Sequence, residues 1–186
     1  MNLSGIPTTY TTAEFQHLHR QLAAMVGRFA ISDGGHQTSI PALTLFRRSA
    51  PGSQFHGVYE PALSLIAQGA KRVMVGDDTF DYDHAHCLVT SIDLPVISQV
   101  MRASHDEPYL GVLLDINPRR IRDLMAEPGL PKPRRVPVGR GMAVSPLSVQ
   151  ILDAVVRLVR LLETPQDIPV LGPLIERAIL AIRYRG

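Results

Sequence analysis

Tryptophan is absent from the 186 residues, and there is a single cysteine, Cys87. A lone cysteine excludes an intrachain disulfide and fits a reducing compartment. It stands among His86, Leu88 and Val89 on an apolar strand pattern, where a thiol serves as a small buried core group. No apolar run approaches the roughly 20 residues that a membrane-spanning helix needs. The opening MNLSGIPTTYTTAEF lacks the basic start and apolar centre of a signal peptide. Both absences point to a cytoplasmic protein with no membrane partner. Charge of one sign is scarce as well: 19 Lys and Arg against 17 Asp and Glu leave a net +2, too small to mark a nucleic-acid surface. There is no GxSxG elbow, no paired carboxylates and no phosphate-binding glycine loop; Gly139-Arg140-Gly141 is a bare fragment of one. Cys87 beside His86 is no dyad, since neighbours on a strand face opposite ways. The chain therefore reads as a non-enzyme with no cofactor.

What the sequence does have is a dense run of strands. Between Tyr59 and Leu114, short apolar runs are cut at close intervals by turn residues. Leu63, Leu65 and Ala67 alternate. Gly76-Asp77-Asp78 predicts a hairpin joining Val73–Val75 to Thr79–Tyr82. Asp83 and His84 turn the chain into His86–Ser91. Asp93 and Pro95 break it before Val96–Ala103, and Asp106 to Pro108 turn it again before Tyr109–Ile116. About six strands with no room for crossover helices must pair mostly antiparallel, as in a small barrel or sandwich.

Helices flank this core. Thr11 or Thr12 can cap one that runs to about Phe29, with Phe15, Leu18, Leu22, Met25, Val26 and Phe29 on one face and Glu14 placed for a capping box. His17 and His19 read as surface residues of that helix. Ser32-Asp33-Gly34-Gly35 stops it, and Ser39–Ser49 reads as the first strand, turned back by Ala50-Pro51-Gly52-Ser53 into Gln54–Tyr59. Asn117-Pro118 opens a short helix over 118–127 that buries Ile121, Leu124 and Met125. A Pro-, Gly- and Arg-rich connection follows, with a short strand around Met142–Val144. Ser145-Pro146 then reads as the cap and first residue of the strongest helix, striped by Leu147, Ile151, Val155, Leu158 and Leu162. A last helix spans roughly Val170–Tyr184.

The stretches YEPALSLIAQGAKRV, LVTSIDLPV and PYLG resemble, in order, the N-terminal domain of AraC-type transcription regulators. The resemblance covers roughly Phe15–Arg177. It implies an α+β fold, a cupin-like antiparallel β barrel followed by C-terminal α-helices, which senses a small-molecule effector and helps the protein form a homodimer. The organisation is then an N-terminal helix and arm (1–38), a sensor barrel with the inserted helix (39–144) and a C-terminal helical dimerisation segment (145–186). In that family a domain with two helix-turn-helix units follows. This chain stops about where that domain would begin, so DNA is expected as a partner only through the missing C-terminal domain.

Candidate site residues follow from parity. Arg47, Tyr59, Ser64, His86, Thr90, Gln99 and Tyr109 are mixed polar residues that read as inward-facing and able to line a pocket. The stripe Leu147, Ile151, Val155, Leu158 and Leu162 is wider than one contact needs and reads as a dimer interface. His84 and His86 are the one HxH pair, and on a strand both rings could reach one metal. The acid that a metal-binding cupin places a few residues on is replaced here by Thr90 and Ser91, and His105 falls in a turn, so the metal set is incomplete. The alternatives are a cupin-type metalloenzyme using His84 and His86, and a ligand-free dimerisation module. Arg119, Arg120 and Arg122, with Lys132, Arg134, Arg135 and Arg140, read as solvated positions, because no aromatics accompany them.

Overall fold

Thr11 caps the first helix as the sequence predicts: its hydroxyl accepts from Glu14 N, and the Glu14 carboxylate accepts from Thr11 N, so two orphan donors are satisfied reciprocally. The computed structural model describes residues 11–126 and 141–185. Helix α1 (Thr12–Phe29) leads into ten strands: β1 (Gly34–Gln37), β2 (Leu43–Arg48), β3 (Phe55–Tyr59), β4 (Ala62–Gln68), β5 (Ala70–Val75), β6 (Asp78–Asp83), β7 (His86–Thr90), β8 (Leu94–Arg102), β9 (Tyr109–Asp115) and β10 (Met142–Pro146). Helix α2 (Pro118–Met125) follows β9, and α3 (Val149–Arg160) and α4 (Ile168–Arg185) close the chain. The expectations for Met1–Tyr10, for the basic connection from Lys132 to Arg140, and for the side chains of Leu124 and Met125 lie outside the described residues.

All strand pairs are antiparallel, and they divide between two sheets rather than closing into one ring. The larger has the order β1-β2-β9-β4-β7-β10, the smaller β3-β8-β5-β6. Within the smaller sheet, β5 and β6 form the expected hairpin, with Val75 opposite Asp78 and Gly76 at φ 57°, as a II′ turn requires of its first central residue. The chain passes from one sheet to the other at Gly69, whose φ is +93°. A Cβ there would lie 2.5 Å from the Arg102 carbonyl oxygen, so the crossing needs glycine.

The two faces of the larger sheet are both covered. Leu43, Leu45, Leu63, Leu65, Val112 and Leu114 point to one side and form a single apolar cluster with Leu22 and Val26 of α1, Leu152, Val155 and Leu158 of α3, and Ile179 of α4. Ile66, Leu88 and Tyr109 point to the other side and meet Val73, Tyr82 and Val96 of the smaller sheet. Arg28 of α1 pairs with Glu163 beyond α3, and Arg120 of α2 pairs with Glu176 of α4, so the helical layer is tied at its rim.

Several elements differ from the sequence reading. β3 does not fold back on β2 but pairs with β8 in the other sheet. Gly34 and Gly35, read as the end of the helix stop, instead open a strand, Gly34–Gln37, beside β2. Pro95 lies within β8 rather than before it. It faces Val58 of β3, and pairing of β8 with β5 begins only at Ile97, so the missing N–H costs no ladder bond on that side. Ser145 and Pro146 end β10 rather than opening α3. β10 is an edge strand, which tolerates proline, and the cap moves on to Ser148, whose hydroxyl accepts from Ile151 N at 3.3 Å.

Candidate functional site

Between the two sheets lies a cavity of about 400 Å³. Its walls alternate in character. Phe46, Phe55, Val58 and Val100 supply apolar surface, whereas Tyr59, Ser64, Lys71, Tyr82, Thr90, Ser98 and Tyr109 supply donors and acceptors. Thr90 and Ser98 are the buried polar residues of the described core, and both border this space. A second, more open cleft of about 780 Å³ lies outside the larger sheet, between the ends of β2 and β9, α2 and α4. Glu60 and Asp115 border both.

Four of the seven candidates from parity reach the cavity: Tyr59, Ser64, Thr90 and Tyr109. Ser64 shares a hydrogen bond with the Tyr82 phenol. The Tyr59 hydroxyl is buried beside the Lys71 ammonium and favours its charged form. Tyr109 fits because position 111 is glycine; a Cβ there would come 2.7 Å from the phenol oxygen. Burial pushes both the Tyr109 and Tyr82 phenols up, so they are neutral donors at pH 7.

The other three point elsewhere. Arg47 shares the parity of Leu43 and Leu45, but that parity faces the helices; its neighbour Arg48 borders the cavity instead. Gln99 lies on the opposite parity from Ser98 and donates to the Gly52 carbonyl at 3.0 Å. His86 has the inward parity but sits at the strand start, 3.0 Å from an Asp83 carboxylate oxygen. Its partner in the HxH pair, His84, turns to α1, where its ring lies 4.7 Å from that of His19. The two histidines thus part, and among the described residues no three His, Cys, Asp or Glu side chains gather as a metal would require. His19, read from the sequence as a surface residue, is half-buried. Burial, then His84, lowers its affinity for a proton. Cys87 is buried, its sulfur 3.5 Å from the Ser145 hydroxyl.

Parity missed the most consequential wall residue. Lys71 shares the inward parity of Val73 and Val75, and its ammonium stands 5.3 Å from the centre of the Tyr59 ring. A lysine in phase with two buried valines is a signal that the sequence did contain. Burial works against its charge, but Tyr109 and then Tyr59 favour it, and the net direction is upward.

The five residues of the expected dimer stripe are already used inside the protomer. Leu147, Ile151, Val155, Leu158 and Leu162 are 0–9% exposed and pack with α1, α4 and the sheet. The physical reason is that α3 lies between two helices and a sheet, so it needs a wide apolar surface for intramolecular packing alone. Within the described helices, large apolar side chains are exposed on α4 instead: Val170 at 67%, Leu171 at 41% and Leu174 at 60%.

No described helix is long and apolar enough to cross a membrane. A comparison with curated proteins finds no match. Among solved structures, ToxT of Vibrio cholerae O395 bound to (E)-4-(8-methylnaphthalen-1-yl)but-3-enoic acid shares the fold at a TM-score of 0.50 and 9% identity, covering 75% of this chain and 54% of that one. Another ToxT structure from Vibrio cholerae gives 0.47 and 10%, covering 63% and 46%. The AraC-like transcriptional activator CuxR gives 0.44 and 11%, covering 81% and 52%. The chain thus spans about half the length of the structures it matches. Residues 39–182 match the family profile of the AraC-type transcriptional regulator N-terminus, and the chain belongs to that family as its effector-binding regulatory domain.

Proposed function

We propose that the space between the two sheets is where this regulatory domain receives its effector, and that occupancy sets how a DNA-reading domain, or a second copy, is held. The observation that carries this reading is the cavity of about 400 Å³ walled by neutral phenols, hydroxyls and apolar groups between two sheets. A ligand there changes an equilibrium only through its different affinity for two states. The stretch 39–144 supplies the receiving pocket, 1–38 the covering helix, and 145–186 the helical layer that carries the response. Tyr59, Ser64, Thr90 and Tyr109 are the contacts that support this assignment. Recognition of DNA belongs to the whole regulator. A thermal-shift screen of small metabolites tests the reading. At least one compound raises Tm of the wild type and not of Ser64→Phe, and in the complete regulator the same compound changes reporter output. Silence across a broad library overturns it.

A homodimer is the partner that the exposed α4 face supports. Val170, Leu171 and Leu174 are exposed apolar side chains on one helix of the helical layer, and a second copy of this chain is the occupant proposed for them. Light scattering of wild type against Leu174→Ser tests it; a monomer at every concentration overturns it.

A further inference from the structure

We infer that Phe55 is the gate of this cavity, its ring turning between a resting place along β3, over Gly57, and an upright position across the mouth. The inference rests on the reading of the cavity as the effector site and adds how an occupant enters and is covered.

The cavity is closed on one side and open on the other. β6 lies against β4 and β7, so the two sheets meet there. At the opposite end of the smaller sheet, β3 is an edge strand, paired with β8 alone among the described strands. The residues that border the cavity follow this division. Tyr82, Thr90, Ser98 and Tyr109 are buried, whereas Arg48, Phe55, Val58 and Glu60 are exposed. The mouth therefore lies beside β3, with Arg48 of the larger sheet on its other lip.

The backbone around the mouth is held. All five residues of β3 pair with β8. In the segment that leads into β3, Ser49 donates to the Asp33 carboxylate through its amide at 3.0 Å and its hydroxyl at 2.7 Å, and the Gly52 carbonyl accepts from Gln99 at 3.0 Å. What is left to move is the side chain. Phe55, Gly57 and Tyr59 share one side of β3, and Phe55 and Tyr59 border the cavity. A strand side chain stands roughly perpendicular to its sheet, so an upright Phe55 points across the mouth toward the larger sheet. The ring lies along β3 instead. Its Cε1 and Cζ come 2.5 and 2.8 Å from the point where a Cβ on residue 57 would sit, so this position requires glycine there. In it the ring is 61% exposed, apolar surface that turning upright over an occupant buries. Exposed rings change rotamer on a picosecond-to-nanosecond scale, so the gate works without rearrangement of β3.

Thiol accessibility tests this without any effector. In a Cys87→Ala, Thr90→Cys background the single thiol stands on the larger sheet, inside the cavity, and its rate of modification by benzyl methanethiosulfonate reads passage through the mouth. Gly57→Ala, or Gly57→Ser should the first fold poorly, takes away the resting place and holds the ring upright. It is expected to slow modification at least fivefold. Adding Phe55→Ala is expected to restore the rate to within about twofold of the background. A rate that does not fall in the Gly57 variant overturns the inference, and so does a fall that persists without Phe55, because the added methyl then acts by some route other than the ring. A thiol that reacts in none of these proteins, Phe55→Ala included, overturns it as well, since the way in would not pass β3. Each of these outcomes leaves the effector reading to be decided by the thermal-shift screen, so the two fail separately.

Discussion

The two faces of the larger sheet contrast sharply in chemistry. On the helix side the buried cluster is almost wholly aliphatic: Leu, Ile, Val and Ala, with Met25 and Cys87. On the other side the buried cluster joins Tyr82, Tyr109 and Met142 to six aliphatic residues, and it borders a space of about 400 Å³. Aliphatic side chains in fixed rotamers fill a volume without orientation requirements and hold the helices on the sheet. Phenols and hydroxyls on rigid strands leave room and present donors, which is what a ligand site needs. One strand thus belongs to both layers: on β9, Val112 and Leu114 pack against the helices while Tyr109 and Gly111 line the cavity.

The contrast can be tested by matched substitutions. The largest effect is expected from Leu152→Ala, at 0% exposure in the filled layer, which should cost about 2–5 kcal/mol in urea unfolding. Ser98→Ala in the hollow layer should change stability by less than about 1 kcal/mol, because its hydroxyl borders the cavity. Equal costs would erase the distinction. Gly69→Ala should be next, at about 1–3 kcal/mol, because φ +93° and the Arg102 carbonyl oppose a side chain where the two sheets join. Lys71→Met should change the unfolding midpoint by less than the Leu152 substitution, since burial opposes the ammonium while Tyr109 and Tyr59 favour it; a loss as large as that of Leu152→Ala would show that Lys71 is structural.

A pH effect smaller than the core substitutions is expected where α1 meets the turn between β6 and β7. Burial and His84 lower the proton affinity of His19 in the folded state, opposed by the Ile66 backbone and by Asp83. Stability is then complete above the ordinary histidine value of 6.5, where both states are neutral. As pH falls through that value the unfolded chain takes the proton first, and stability declines until the lower folded value is reached. The urea midpoint should therefore drop between pH 7.5 and 5.5, and His19→Phe should flatten the drop. The smallest effect on the fold belongs to Leu174→Ser, within about 0.5 kcal/mol, because Leu174 is 60% exposed; any change in association would appear without a change in unfolding.

These regions also show where the sequence was readable. The capping box at Thr11 and Glu14, the Gly76-Asp77 hairpin, the Asn117-Pro118 helix start and the six strands from Ala62 to Asp115 are local features, and each appears where its residues ask for it. Parity was a poorer guide to the site. It worked at Ser64, Thr90 and Tyr109, but failed at Arg47, because a sheet buried on both faces gives apolar residues on both parities and does not say which faces the cavity. Lys71 was overlooked because a charged residue at the start of a strand reads as solvent-facing until its phase with Val73 and Val75 is weighed. His86 had the right phase, but Asp83 in the adjoining turn holds its ring. The α3 stripe misled for a related reason: apolar width on a helix signals burial, not whether the partner is the same chain or another.

The order of the elements, the antiparallel pairing and the family were set by local chemistry that the sequence carries openly: turn residues, caps, alternation and the motifs from Tyr59 onward. Which strand joins which sheet, which face of the larger sheet is packed and which is hollow, and that Lys71 meets Tyr59 over β8 within the smaller sheet were decided by the tertiary structure. The reason is that a two-residue period fixes two faces for each strand, and only the stacking of helices on one face and a second sheet on the other assigns them different roles.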